Sequence, residues 1–330
     1  MPDTDLALAS IVVTGSSGFI GTHLSAELSA EECSPAGLHG IDLREPVASN
    51  RLLHNTADIR SRSSLDNLRP RIGEAATLIH LAAAAEVLIP WSDVGELIST
   101  NIDGTYALLD TLKPGRVVFA SSSSVYGHAD VGQTDARGAR LDPKCLYAMS
   151  KMNGEMLVQE WAVENSLSAV NLRFGNVIGP GCRGLIPYLV AHATRYPNAE
   201  RPARLRGRGA LVRDYVPVGY VVRVLRAAAK MPLKPGTAAV LNVGTGRGTT
   251  NREVAEFVCE LLADEGLRLE VIYDDEPGRG ESTIVVLDMA STVELTGLEP
   301  PEPDEVRASI CDSVHAHLEG MRLPGFQAFA

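Results

Sequence analysis

The stretch Val13-Thr14-Gly15-Ser16-Ser17-Gly18-Phe19-Ile20-Gly21 constrains this chain more than any other. It follows the apolar run Ile11-Val12-Val13 and leads into Phe19 to Ala30, whose pattern predicts a helix. Glycines at such a junction have separate physical jobs. One permits a tight turn, another lets the backbone approach a pyrophosphate, and a third lets the helix pack closely on the sheet. Phosphates would then meet the free N–H groups at the helix N-terminus. A glycine pattern alone is weak, because any strand–turn–helix junction can use one. Here the predicted strand and helix flank it on both sides.

The same alternation continues. Leu38 to Ile41 predicts a second strand ending at Asp42, and Thr77 to Leu81 and Arg116 to Ala120 predict two more. A helical stretch from Asp93 to Leu112 separates the last two. Leu146 to Asn165 predicts a long helix, followed by a strand from Ala169 to Leu172. Strands joined by helical crossovers imply a doubly wound, parallel α/β Rossmann sheet. After about Gly175 glycine and proline become frequent. A helix around Tyr220 to Lys230 and the run Ala239 to Val243 read as returns to the main sheet. The expected division is a nucleotide-binding domain over 1–175, with returns near 215–245, and a smaller interleaved α/β substrate domain over 176–330.

Asp42 follows the last glycine of the loop by 21 residues, at the predicted end of the second strand. A carboxylate there accepts hydrogen bonds from adenosine ribose hydroxyls and repels a 2′-phosphate, which favours NAD over NADP. Arg44 keeps the other cofactor open. The chain carries 30 Lys+Arg against 41 Asp+Glu, a formal charge of −11, which argues against binding nucleic acid or an anionic membrane. Met1 to Ser10 has no basic n-region, and no stretch of 18 apolar residues suggests a membrane span. Five scattered cysteines without close spacing fit reduced thiols and a cytoplasmic location. His315 and His317, two apart, read as solvent-exposed residues, and no metal site is expected.

Tyr147-Ala148-Met149-Ser150-Lys151 opens the long helix, with Tyr147 and Lys151 on one face a turn apart. An ammonium beside a phenol lowers its pKa, so Tyr147 is expected to serve as a base near neutral pH. The strand Val117-Val118-Phe119-Ala120 runs into Ser121-Ser122-Ser123-Ser124-Val125-Tyr126-Gly127. A serine at that strand end can hold a substrate hydroxyl as it loses its proton.

These pieces together resemble the extended short-chain dehydrogenase/reductases, within them the NAD-dependent epimerase/dehydratase family. The likeness runs over nearly the whole chain. It includes Ala57-Asp58-Ile59-Arg60, His80-Leu81-Ala82-Ala83, Asn101 to Thr105, Asn171 to Pro180, Arg213-Asp214-Tyr215 and Leu241 to Gly246. The resemblance implies that Asp58 reaches the adenine amino group, with Ile59 beside it. It implies that Leu81, Ala82, Ala83 and Asn101 line the cofactor channel, and it gives His80 no catalytic role. Alignment through Val125-Tyr126-Gly127 puts Ser122 at the catalytic Ser/Thr position. By the same resemblance, Asn176 and Arg213 hold a nucleotide-sugar's pyrophosphate, Glu86, Ser123, Ser124 and Ile186 lie near the substrate, and two subunits pair through the helices of 93–112 and 146–165. Where the family often has an Arg-Pro-Gly-Asp element, this chain has Glu276-Pro277-Gly278-Arg279, so Arg279 stands in as a second phosphate ligand from a shifted position. Gly219-Tyr220 likewise replaces the usual acidic turn.

Three reactions share this scaffold. The 4,6-dehydratases carry an acidic pair directly after the catalytic Thr, and here those places are Ser123 and Ser124. Ketoreductases of the family usually consume NADPH, which Asp42 disfavours. Epimerisation at C4 needs only Ser122, Tyr147, Lys151 and a retained NAD, so a nucleotide-sugar 4-epimerase is the expected function, with dehydratase or ketoreductase as alternatives. A catalytically silent NAD-binding protein need not keep all three side chains. The serine run resembles that of UDP-glucuronate 4-epimerases, and Arg183, seven residues after Asn176, stands where an arginine meets the sugar carboxylate in those relatives. UDP-hexose and UDP-hexuronate both remain open as substrates.

Overall fold

The computed structural model describes residues 10–30, 37–46, 52–72, 76–87, 89–127, 134, 136–275 and 283–322. The first half alternates β1 (Ile11–Thr14), α1 (Phe19–Ala30), β2 (Leu38–Asp42), β3 (Leu53–Thr56), α2 (Arg62–Ile72), β4 (Thr77–His80), α3 (Val94–Ile98), α4 (Gly104–Leu112), β5 (Arg116–Ser122), α5 (Leu146–Glu164) and β6 (Ser168–Phe174). Then come β7 (Asn176–Ile178), α6 (Leu185–Arg195), β8 (Ala203–Leu205), β9 (Val212–Arg213), β10 (Tyr215–Pro217), α7 (Val218–Lys230) and β11 (Thr237–Val243). The chain continues through β12 (Thr249–Thr250), α8 (Asn251–Asp264), β13 (Val271–Tyr273), β14 (Ile284–Val285), α9 (Ala290–Thr296) and α10 (Pro303–Arg322).

Seven strands form one parallel sheet in the order β11-β6-β5-β4-β1-β2-β3. Both of its faces are covered, and the period-two alternation of each strand serves one face and then the other. Val13, Ile79, Val118 and Val170 pack with Leu24, Leu28, Val221 and Leu225 of α1 and α7. Val12, Leu78, Val117 and Ala169 pack instead with Leu65, Leu108 and Val158 of α2, α4 and α5. The run Ala239 to Val243 joins the sheet as the end of β11, as its apolar pattern predicts. A third cluster lies apart from the sheet and is built largely by α6, α8 and α10 around Leu189, Val258 and Val314.

The chain leaves β1 toward β2 on one side and continues from β4 toward β5 on the other. The connections diverge between β1 and β4, so a crevice opens outside their carboxyl ends. The predicted helical stretch 93–112 proves to be two α-helices joined by a π-helical turn over Ser99–Asp103. In the first half two elements escaped the sequence reading, β3 and α2, and beyond Gly175 only α7 and the end of β11 were placed.

Candidate active site

The crevice is floored by the loop after β1 and walled by the loop after β4. Gly15 has φ +70°, and a Cβ there would lie 2.7 Å from the Ala82 amide nitrogen. A Cβ on Gly21 would lie 2.0 Å from the Gly15 carbonyl oxygen. Only glycine lets α1 start this close to the strand ends. Ser17 donates its amide to Asp42 Oδ2 at 3.0 Å, and Arg44 donates its amide to Oδ1 at 3.0 Å. Arg44 also reaches the Ser17 carbonyl through Nη2 at 3.2 Å. Asp42 thus stands at the end of β2 with its carboxylate turned to the glycine loop. The Ser16 hydroxyl is buried there without a hydrogen-bond partner. An open backbone cradle at a helix N-terminus, an orphaned hydroxyl and an adjacent carboxylate fit a dinucleotide.

Gly18 completes the loop, with Phe19 and Ile20 opening α1. Asp58 lies just beyond β3, where Arg60 grips its carboxylate at 2.7–2.9 Å and holds its pKa below the usual range. Ile59 is buried in the core beneath it. Leu81, Ala82 and Ala83 are half-buried along the wall, and Glu86 is exposed farther out. Asn101 projects from the π-helical turn and is fully paired. Its Oδ1 accepts from the Ala84 amide at 2.8 Å, and its Nδ2 donates to the Ala84 carbonyl and to Ser150 Oγ. That widened turn lets one side chain pin the wall loop to α5.

Ser122 ends β5 and caps the 3₁₀ turn Ser123–Tyr126. Its Oγ accepts from the Ser124 amide at 3.2 Å and the Ser124 hydroxyl at 2.9 Å, which leaves its own proton to give. Ser123 is buried. Cys145 caps α5 through its sulfur, and Tyr147 follows in the first turn. A Cβ on Gly154 would lie 2.3 Å from Phe119 Cζ, so α5 rides directly on β5 and brings Lys151 over the strand. Lys151 is buried and donates to the Ala120 carbonyl at 2.8 Å, with Nζ 5.9 Å from the Tyr147 ring centre and 5.1 Å from that of Phe119.

The electrostatics correct one expectation. Spacing alone implies that Lys151 lowers the Tyr147 pKa. Instead, burial pushes Tyr147 up to about 12, with a Ser122 hydrogen bond working the other way. Burial also lowers Lys151 to about 8, while Glu155 opposes that shift. The ammonium's direct partner is the Ala120 carbonyl rather than the phenol oxygen.

In the second half, the Asn176 amide donates to the Asp214 carbonyl at 2.7 Å, which sets the start of β7 beside Arg213. Arg213 is half-buried on β9, between β12 and β14, and not part of a solvated run. Asp214 is buried and accepts from the Thr245 amide and hydroxyl, the Gly246 amide and the Leu287 amide. Arg183 is exposed on a loop bracketed by Gly181 and Gly184, both with positive φ. Ile186, expected at the substrate, is 1% exposed and closes the core under α6. Arg279 lies outside the described residues. His317, expected in solvent, is half-buried on α10 with its ring nitrogens 2.6 Å from the Ser313 carbonyl and 3.1 Å from that of Cys182.

Residues 11–244 match the NAD dependent epimerase/dehydratase family. The chain belongs to that family. NAD is accordingly its cofactor, in keeping with the glycine cradle and Asp42. The UDP-glucose 4-epimerase of Rhizobium meliloti (strain 1021) is 26% identical over 309 residues, 88% of this chain and 92% of that protein. The GDP-6-deoxy-D-mannose reductase of Pseudomonas aeruginosa is 29% identical over 275 residues, 80% and 83% of the two chains. Among solved structures, MoeE5 in complex with UDP-glucuronic acid and NAD is 29% identical with a TM-score of 0.79, over 94% of this chain and 99% of that one. Relatives of this family chain also include a dTDP-glucose 4,6-dehydratase.

Sequence reasoning missed four residues here. Glu155 and Arg173 form a buried ion pair, and Tyr126 and Asp214 are buried and paired. The signal available for Glu155 was its position, a further helical turn after Tyr147 and Lys151 on the same face.

Proposed function

We propose that this chain is a nucleotide-sugar 4-epimerase working with retained NAD. The observation that carries the reading is what surrounds Ser122. Ser122, Tyr147 and Lys151 meet at the crevice, yet the next two positions hold no acid or base. Ser123 is buried, and the Ser124 hydroxyl donates its hydrogen bond to Ser122. Dehydration needs a group to take the C5 proton and another to protonate the leaving oxygen, and those serines supply neither.

Gly15, Ser17, Gly18 and Gly21 would hold the cofactor's pyrophosphate, with Asp42 on the ribose and Asp58 toward the adenine. When bound, NAD accepts and returns a hydride, and in its oxidised state its ring charge favours a nearby phenolate. Ser122 donates a hydrogen bond to the sugar 4-oxygen, and Tyr147 removes the proton from that hydroxyl. Lys151 supplies positive charge from behind the tyrosine, anchored on Ala120. The 4-keto sugar then turns over while Asn176 and Arg213 keep the pyrophosphate in place, and Tyr147 returns the proton at the end.

The division into a cofactor unit over 1–175 and a substrate unit over 176–330 is part of this reading, as is a homodimer. Ile98 and Tyr106 on α3 and α4, and Met149, Met156 and Val163 on α5, are exposed apolar residues. On α5 they recur every seventh residue, which is the stripe a helix presents to a second copy. A cytoplasmic location accords with four unbridged cysteines among the described residues. Also among these residues, no helix is long and apolar enough to cross a membrane.

The test is a screen of UDP-, dTDP-, GDP- and CDP-sugars with purified protein and no added cofactor. Interconversion of a C4 epimer pair supports the reading. A 4-keto-6-deoxy product, or turnover only with stoichiometric NADPH, replaces it with dehydratase or reductase.

A further inference from the structure

Behind the catalytic trio lies a buried charged network that the proposed chemistry does not use. Glu155 sits one turn beyond Lys151 on α5. Arg173 of β6 grips it with two parallel hydrogen bonds, Nε to Oε1 at 2.8 Å and Nη2 to Oε2 at 2.6 Å. Both side chains are only 6–7% exposed. The Ser121 hydroxyl donates to the same Oε1. The Tyr126 ring lies 4.8 Å from the Arg173 guanidinium carbon, and its hydroxyl donates to Asn242 of β11 at 2.6 Å.

Burying a carboxylate and a guanidinium is costly, and apolar side chains of similar size often serve stability as well. The placement suggests a use. Ser121 lies between Ala120, whose carbonyl holds Lys151, and Ser122. Glu155 and Lys151 therefore clip two consecutive residues of β5, Ala120 and Ser121, to the face of α5 that carries Tyr147, and Ser122 is the next residue along. We propose that Glu155 is a positioning residue for the reaction: locked by Arg173, it holds the Ser121–Ser122 strand end in register with Tyr147. This rests on the reading that Ser122, Tyr147 and Lys151 carry the chemistry.

The charged and titratable groups around Lys151 are few. His80 faces it from β4, Tyr147 and Glu155 share α5 with it, Cys145 caps that helix, and Arg173 of β6 and Tyr126 after β5 adjoin Glu155. His80 is pushed down to about 3 by burial and by Lys151, so it is neutral across the working range. Glu155 is the group that opposes the loss of charge on Lys151, so its neutralisation lowers the pH at which the lysine deprotonates.

Glu155→Gln keeps the shape and removes the charge. Lysine titration is read by NMR on protein labelled at lysine Cε, without substrate, and kcat and KM are followed against pH. The expected result is a Lys151 midpoint lower by about one unit, and an alkaline limb of kcat displaced by the same amount, about tenfold lower rate at that edge, with KM unchanged. A folded Glu155→Gln protein with an unmoved lysine midpoint and a superimposable kcat profile overturns the proposal. Should that variant fail to fold because Arg173 is left unpaired, Glu155→Gln/Arg173→Met removes both charges, and a lysine midpoint lowered by a smaller amount is expected, because the guanidinium that opposed Glu155 is gone too. Equal turnover by wild type and Tyr147→Phe would instead sink the catalytic reading itself, whatever the lysine does.

Discussion

His80 ends β4 beneath the crevice, and its partners dictate its charge. Thr105 gives its proton to the Asn101 carbonyl at 2.7 Å, so its oxygen accepts from His80 Nε2 at 3.0 Å. His80 Nδ1 is then the acceptor, 2.7 Å from the Thr14 hydroxyl. A second ring proton would break that arrangement in a buried site that already faces Lys151. Burial, and then Lys151, lower His80 from 6.5 to about 3. The unfolded chain therefore takes up a proton near the ordinary value, whereas the folded chain stays neutral until about 3. The stability this contributes is complete above the ordinary value and is lost as pH falls toward the lower one. Each unit is worth about 1.4 kcal/mol, so by about pH 4.5 the group removes about 3 kcal/mol. Urea unfolding of wild type and His80→Gln, followed from about pH 7.5 to about pH 4.5, isolates the effect as the difference between the two slopes. Parallel stability curves across that range would refute the argument, whatever the overall stability of the variant.

Tyr147→Phe is expected to lower turnover by at least about a hundredfold while the protein still carries NAD, checked by cofactor release on denaturation; retention of about a tenth of the rate would remove Tyr147 as the base. The apolar stripe on α5 predicts a dimer by light scattering at micromolar concentration, and Met156→Glu with Val163→Lys should yield monomers; a monomeric wild type refutes the pairing. Arg183→Ala should reduce the preference for UDP-glucuronate over UDP-glucose in direct competition by about tenfold or more. An unchanged preference means that Arg183 does not read the carboxylate.

Most of the first half was legible because parallel strands buried on both faces are continuous apolar runs, and the strands on either side of the crevice are of that kind; the short strands after Gly175, two or three residues each, carry no such run. The two first-half elements that escaped lack this signal for different reasons. Strand β3 reads Leu-His-Asn-Thr, lies at the sheet edge, and buries only Asn55 fully, so it has no apolar run. Helix α2 does carry Leu65, Leu68 and Ile72 on one buried face. Polar residues dominate the rest of it, and Pro70 near its end reads as a helix stop.

The site divides along a different line. Spacing places side chains on a shared face, and it placed Tyr147 and Lys151 together correctly. It does not say what a buried donor points at. Whether Lys151 neutralises a phenolate or anchors on a carbonyl depends on the height of Ala120 beneath the helix, which Gly154 sets against Phe119. The same limit hid Glu155. A glutamate on a long helix normally reads as a solvated residue, and only the arrival of Arg173 from β6 and Ser121 from β5 makes it a buried member of the site. Its two partners are contributed by strands whose sequence distance from it carries no local pattern. What remains readable is the series Tyr147, Lys151, Glu155 at intervals of one turn. Three polar groups one turn apart on the face that packs against a core sheet cannot all be solvated, and following their buried partners leads from Tyr147 to the ion pair behind it.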